Sequence, residues 1–151
     1  MDGFCRQTGD TSGHPVKRSR GPSDTGDVPR TVLVCDNEEA LRALVRAALE
    51  PSGCEIVEAR DGDESLELAR SLEPDLIVLD LMMPGLSGLQ VLDALRREQR
   101  FANTPVIVLS ARAQVADREA VAGAGATSFM AKPFSPRELC SEVTSRLGAH
   151  R

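Results

Sequence analysis

The chain of 151 residues has no apolar run approaching the roughly eighteen to twenty residues that a membrane span needs, and its N-terminus lacks the apolar core of a secretory signal. Neither membrane insertion nor export is therefore expected, and the localisation read from the sequence is cytoplasmic. Cysteine is scarce: Cys5, Cys35, Cys54 and Cys140 show no close pairing and no metal-ligand spacing, so reduced thiols are expected rather than a disulfide framework or a thiolate zinc site. Cys35 and Cys54 lie in apolar strand-like runs, where a thiol behaves as a small hydrophobe. Histidine is confined to His14 and His150, near the two ends, and neither is assigned a catalytic role. Net positive charge is missing as well. Five Lys/Arg against four Asp leave the first thirty residues near +1, so the formal charge of −5 places about −6 on the remainder. An acidic body argues against direct binding of nucleic acid, and the short cluster Lys17, Arg18 and Arg20 is read as solvated charge.

Residues 1–30 also lack apolar periodicity. They are rich in Gly, Ser, Thr, Asp and Pro and cannot bury enough surface to offset the entropy of ordering, so they are expected to form a disordered tail. The remaining 31–148 suffice for one domain and one core.

From residue 31 onward, strand-like runs alternate with helix-like patterns: TVLVC, then 39–50, EIVEA, then 62–72, DLIVL, then 87–99, PVIVL, then 113–122, TSFMA, then 136–147. Five strand–helix units predict an α/β fold. Leu41, Leu44, Val45, Ala48 and Leu49 fall on one helical face, as do Leu139, Val143 and Leu147. Ser135 to Glu138 reads as a capping box with Pro136 at the first helical position, and Asp61 with Glu64 gives a similar start signal. The segment 113–124 is dominated by Ala and Gly, has a thin apolar face, and is expected to be the most mobile helix. The first, third and fourth strands are almost continuously apolar, as strands covered on both faces are, while the second and fifth are mixed. This predicts a doubly wound parallel sheet of order 2-1-3-4-5 with helices on both faces.

In such a sheet, ligands bind outside the carboxyl ends of the strands, near the point where strand order reverses. Asp36-Asn37-Glu38-Glu39 follows the first strand, Asp80 the third, Ser110 the fourth and Lys132-Pro133 the fifth. Asp36 and Asp80 would repel unless one protonates or a cation sits between them. An all-oxygen set with few protein ligands favours Mg²⁺ with retained waters over caged calcium or thiolate-bound zinc. Two carboxylates, a cation, the Lys132 ammonium and the Ser110 hydroxyl suit transfer of a phosphoryl group.

VLVCDNEEALR, PDLIVLDLMMPGLSG, PVIVLSA and GATSFMAKPFSPREL resemble the four signatures of the response-regulator receiver family, over about residues 30–147. The resemblance implies a (βα)5 flavodoxin-like three-layer sandwich of the single-domain chemotaxis-regulator type. It makes Asp80 the phosphoacceptor, places Mg²⁺ between Asp36, Asp80 and the main-chain carbonyl of Met82, and gives Ser110 and Lys132 the contacts to the phosphoryl group. Phe129 matches the family's switch aromatic, although a plain core role fits it equally. The peptide before Pro133 corresponds to one that is usually cis in the family. The implied partners are a histidine kinase or a histidine phosphotransfer protein upstream and an unknown protein downstream, read through the face of the fourth helix, fifth strand and fifth helix. The chain is expected to act stoichiometrically rather than as an enzyme, in trans because it ends soon after the fifth helix, as a monomer or weak homodimer.

One position departs from the family pattern. Asn37 stands where the family usually has an Asp that binds the metal directly, which lowers the expected Mg²⁺ affinity, although the amide oxygen can still coordinate and Glu38 is adjacent. Met82 and Arg112 occupy positions that tune loss of the phosphoryl group in the family, and neither is a water-positioning acid or amide, so slow autodephosphorylation is expected. The rival reading is a pseudo-receiver, an interaction module that keeps the fold without using phosphate, with Asn37 as its main support. A phosphatase of the haloacid dehalogenase type would need an Asp where Met82 stands.

Overall fold

The computed structural model describes residues 29–111 and 115–150, and of residues 115–117, 149 and 150 the backbone alone. Most of the predicted tail and Arg112 lie outside the described residues.

Five strands and five α-helices alternate: β1 Thr31–Cys35, α1 Glu39–Leu49, β2 Glu55–Ala59, α2 Gly62–Leu72, β3 Leu76–Asp80, α3 Gly88–Arg96, β4 Val106–Ser110, α4 Val115–Gly123, β5 Ser128–Ala131 and α5 Pro136–His150. The strands pair in parallel in the order β2-β1-β3-β4-β5, as the apolar patterns predict. β3 and β4 are buried at every position, β1 at all but its first residue, and the edge strands β2 and β5 are mostly half-buried.

Alternation along each central strand divides the core between the two faces of the sheet. Leu33, Cys35, Ile77, Leu79, Val106 and Val108 pack with Leu66 and Ala69 of α2, Val91, Leu92 and Leu95 of α3, and Val121 of α4. Val32, Val34, Leu76, Val78, Ile107 and Leu109 pack with Val45, Ala48 and Leu49 of α1 and with Leu139, Val143 and Leu147 of α5. Each Val, Leu or Ile side chain so removed from water contributes about 1.5–3 kcal/mol, which fixes the register strongly.

The helix starts follow their local chemistry. The Asp61 side chain accepts from the Glu64 N–H at 2.8 Å, and Glu64 returns a carboxylate to the Arg60 N–H at 2.7 Å. Ser135 accepts from the Glu138 N–H at 3.3 Å. α3 carries a full capping box between Ser87 and Gln90, a signal the sequence reading passed over.

Two expectations change. Leu44 does not join the buried face of α1; it is 42% exposed, and Arg42 takes a place on that face beside Val45, Ala48 and Leu49. Positions 42, 45 and 49 share one line down the helix, and the Arg42 guanidinium finds a buried carbonyl and a half-buried carboxylate there, so a charged residue turns inward while a leucine on the flank stays out. The third and fourth strands also run one residue further than predicted, because Asp80 and Ser110 still pair with Leu109 and Ala131. Among the described residues, no helix is long and apolar enough to cross a membrane.

Candidate phosphoryl and metal site

The register builds the site. β1 and β3 pair Val32 with Leu76 through to Cys35 with Leu79, so one further step sets Asp36 beside Asp80. β4 and β5 end with Ser110 opposite Ala131, and the Lys132 N–H donates to the Ser110 carbonyl at 2.8 Å, which carries Lys132 to the same rim. The peptide between Lys132 and Pro133 is cis, as the resemblance implies.

Asp36, Asp80 and Lys132 meet directly. The Lys132 Nζ lies 3.2 Å from Asp36 Oδ2 and 3.1 Å from Asp80 Oδ1. Both carboxylates are buried, with Asp36 2% and Asp80 3% exposed, so a single ammonium serves two carboxylates out of water and leaves them one negative charge in excess. Asp36 Oδ1 accepts from the Glu38 N–H at 2.9 Å, and Asp80 Oδ1 accepts from the Met82 N–H at 3.3 Å. Asp80 Oδ2 carries none of these bonds. Ser110 is fully buried at the end of β4, two strands from β1, on the same rim.

Burial first, and then the charge of Asp36, push the Asp80 carboxyl above the usual carboxylate range against the opposing pull of Lys132 and the Met82 N–H. Burial pulls the Lys132 ammonium down, but Asp80 and Asp36 outweigh it and hold its pKa above the ordinary lysine value. The lysine therefore stays charged, and Asp80 is the strained partner.

That excess negative charge, buried between oxygen donors, fits a hard divalent cation. Among the described residues, no group of three or more His, Cys, Asp or Glu side chains is arranged to hold a metal. An ion here would rest on two carboxylates, main-chain oxygen and its own waters, which is the habit of Mg²⁺ and not of zinc. The nearby Cys35 thiol is fully buried and pushed up to about 12, chiefly by burial, so it is no ligand. Asn37 is exposed on the turn after β1, Glu38 likewise, and the Met82 side chain is half exposed.

Phe129 sits in β5, partly buried against the core face that α2 and α3 cover, with the Arg118 guanidinium 4.8 Å from its ring centre. It therefore has both a core contact and a cation above its face.

One residue beside the site escaped the sequence reading. Arg42 reaches back from α1 to donate to the Asp36 carbonyl at 2.8 Å, and its Nε donates to Glu58 at 2.9 Å. The pattern offered only its place in DNEEALR, and an arginine on an amphipathic helix ordinarily reads as solvent-facing.

The model of the response regulator receiver domain matches residues 32–144. Among curated proteins, the chain is 39% identical over 118 residues to the alkaline phosphatase synthesis transcriptional regulatory protein PhoP of Bacillus subtilis, covering 78% of this chain and 48% of that protein. It is 40% identical over 114 residues to the phosphate regulon transcriptional regulatory protein PhoB of Escherichia coli, covering 76% of this chain and 50% of that one. The chain thus spans about half the length of these curated relatives. Among solved structures, the receiver domain of the Francisella response regulator 1452 matches with a TM-score of 0.76 at 34% identity, over 81% of this chain and 99% of that one. The chemotaxis protein CheY4 of Vibrio cholerae matches with a TM-score of 0.73 at 28% identity, over 80% and 99%.

Proposed function

This chain belongs to the response regulator receiver domain family, and we propose that it accepts a phosphoryl group on Asp80 from a phosphohistidine of a kinase or phosphotransfer protein. The observation that carries this reading is the shared ammonium: Lys132 bridges the buried carboxylates of Asp36 and Asp80 at the carboxyl end of the sheet. Asp80 Oδ2 attacks phosphorus in line, the phosphorus–nitrogen bond breaks with its electron pair leaving on the imidazole, and an acyl phosphate forms. Lys132, already charged, stabilises the negative charge that gathers on the transferred group. The Met82 N–H holds Oδ1 and so aims the other oxygen outward. Ser110, at the end of β4, supplies a hydroxyl to the new phosphoryl oxygens. Asp36, Asp80 and the main-chain carbonyl of Met82, with Asn37 adjacent, would hold Mg²⁺. When bound, the ion neutralises charge on the carboxylates and on the incoming group.

The chain acts stoichiometrically and passes its state to a partner in trans through the face of α4, β5 and α5. Phe129 lies on that face, beside an open groove of ≈ 690 Å³ between β5 and α5 where Ser128, Glu142 and Arg146 form a bonded chain. The match to the Vibrio chemotaxis chain extends over 99% of that chain, whereas the PhoP and PhoB relatives carry as much sequence again. On this reading the reaction takes place in the cytoplasm, where a histidine kinase delivers its phosphoryl group.

The second reading, a pseudo-receiver that signals without phosphate, draws on the neutral, exposed Asn37. Adding Mg²⁺ and beryllofluoride, a stable mimic of the phosphoryl group, separates the two. The proposal expects saturable binding, with amide shifts at Asp80, Ser110 and Lys132 in nuclear magnetic resonance spectra; unchanged spectra at millimolar Mg²⁺ would favour the pseudo-receiver.

A further inference from the structure

Arg42 is 8% exposed, and it stands in the second turn of α1, next to a helix N-terminus whose partial positive charge repels a cation. An ion pair between this buried guanidinium and the half-buried Glu58 adds little to stability over well-packed apolar side chains, so its place on the apolar face of α1 calls for another reason. The bonds supply one. Glu58, on the edge strand β2, takes the Arg42 Nε on Oε1 at 2.9 Å and the Arg46 Nε on Oε2 at 2.8 Å. Thus oriented, the fork presents Nη1 to the carbonyl of Asp36 at 2.8 Å.

That carbonyl lies one residue past the end of β1. The Asp36 N–H still reaches the Ala59 carbonyl at 3.1 Å, and the Asp36 side chain is held by Glu38 and Lys132. Without Arg42 the buried carbonyl would lose its charged donor, and the turn through Asn37 and Glu38 would be held less tightly.

We propose that Arg42, oriented by Glu58, is a positioning residue that locks the turn after β1 and thereby aims the Asp36 carboxylate at Lys132 and at the cation. The inference rests on the phosphoacceptor reading for its purpose but not for its geometry. The Arg42 side chain bonds to Glu58 and to the Asp36 carbonyl, so it acts on the site through the main chain of Asp36.

The sign of the effect on Mg²⁺ tells positioning from charge. Arg42→Gln removes a positive charge close to the acidic rim, so Coulomb interaction alone would tighten Mg²⁺ binding. Positioning predicts the opposite. Calorimetric titration of the full chain with Mg²⁺ is expected to show binding at least fivefold weaker in Arg42→Gln. Arg42→Lys keeps the charge but has one head for two partners, and it too should bind more weakly than wild type. A metal-free readout accompanies these: exchange of the Glu38 amide proton, which Asp36 Oδ1 accepts, should accelerate at least tenfold in Arg42→Gln while the Leu79 amide in β3 is unchanged. Glu58→Gln, at a more exposed position, leaves the core intact and should accelerate the same amide to a smaller degree.

Unchanged Glu38 exchange in Arg42→Gln and Glu58→Gln would overturn the proposal. So would faster exchange with Mg²⁺ binding unchanged or tighter, since Arg42 would then only brace the turn. Absence of Mg²⁺ uptake by the wild-type chain would instead defeat the phosphoacceptor reading, and Glu38 exchange would still decide whether Arg42 sets the turn.

Discussion

Asp80 is held in a form that folding disfavours. Burial and the neighbouring Asp36 raise its carboxyl pKa, so the folded state binds its proton more tightly than the unfolded chain does. Stability from this group is fully present below the unfolded value of about 3.9 and is lost as pH rises through the raised one. Asp80→Asn removes that penalty and should raise stability by on the order of 1 kcal/mol at pH 7, a gain that closes as pH falls below about 4. Paired thermal melts across pH, without Mg²⁺, measure it; a less stable Asp80→Asn at neutral pH would contradict the account of strain at Asp80. Asn37 is the other residue that bears on the charge of the site, by being neutral where a carboxylate is expected. Restoring a carboxylate by Asn37→Asp should tighten Mg²⁺ binding by roughly five- to tenfold, since cation affinity follows the charge of the ligand set. Titration calorimetry reads this, and equal affinities would show that position 37 lies outside the metal's reach.

The elements were legible in the sequence where side-chain type and partner agree. Continuous apolar runs marked the central strands, and mixed runs marked β2 and β5 as edges. The convergence of Asp36, Asp80 and Lys132 followed from reading each strand's end. What escaped depends on a partner rather than on the residue itself. Arg42 turns inward because Glu58 and the Asp36 carbonyl await it, and Leu44, which spacing assigned to the core, is left at the flank. Asp80 and Ser110 extend their strands because main-chain pairing is indifferent to a polar side chain. Backbone proximity was equally hidden. A Cβ on Gly88, at the start of α3, would collide with the Asp80 carbonyl and with Cα of Leu81. Neither atom can yield, so Gly88→Ala should destabilise the domain by about 2 kcal/mol and disturb the strand end that carries Asp80. Denaturant melts of the variant check this; a loss below a few tenths would mean that α3 slides away from β3 freely.

At the scale of the whole molecule, two apolar layers hold five parallel strands in a register that gives no choice about what meets at the rim. A slip of one residue would exchange the two faces of a strand, so the core that stabilises the fold also places Asp36, Asp80 and Lys132 together. The carboxylates carry more charge than the ammonium answers, and the fold keeps that imbalance buried beside Ser110. We propose that this imbalance serves a phosphoryl group. Incubating the chain with acetyl phosphate and Mg²⁺, then weighing the intact protein and mapping the modified peptide, tests it most directly. One phosphoryl group on Asp80, dependent on Mg²⁺ and lost in Asp80→Asn, is the predicted result; no mass gain, or a gain that survives Asp80→Asn, would contradict it.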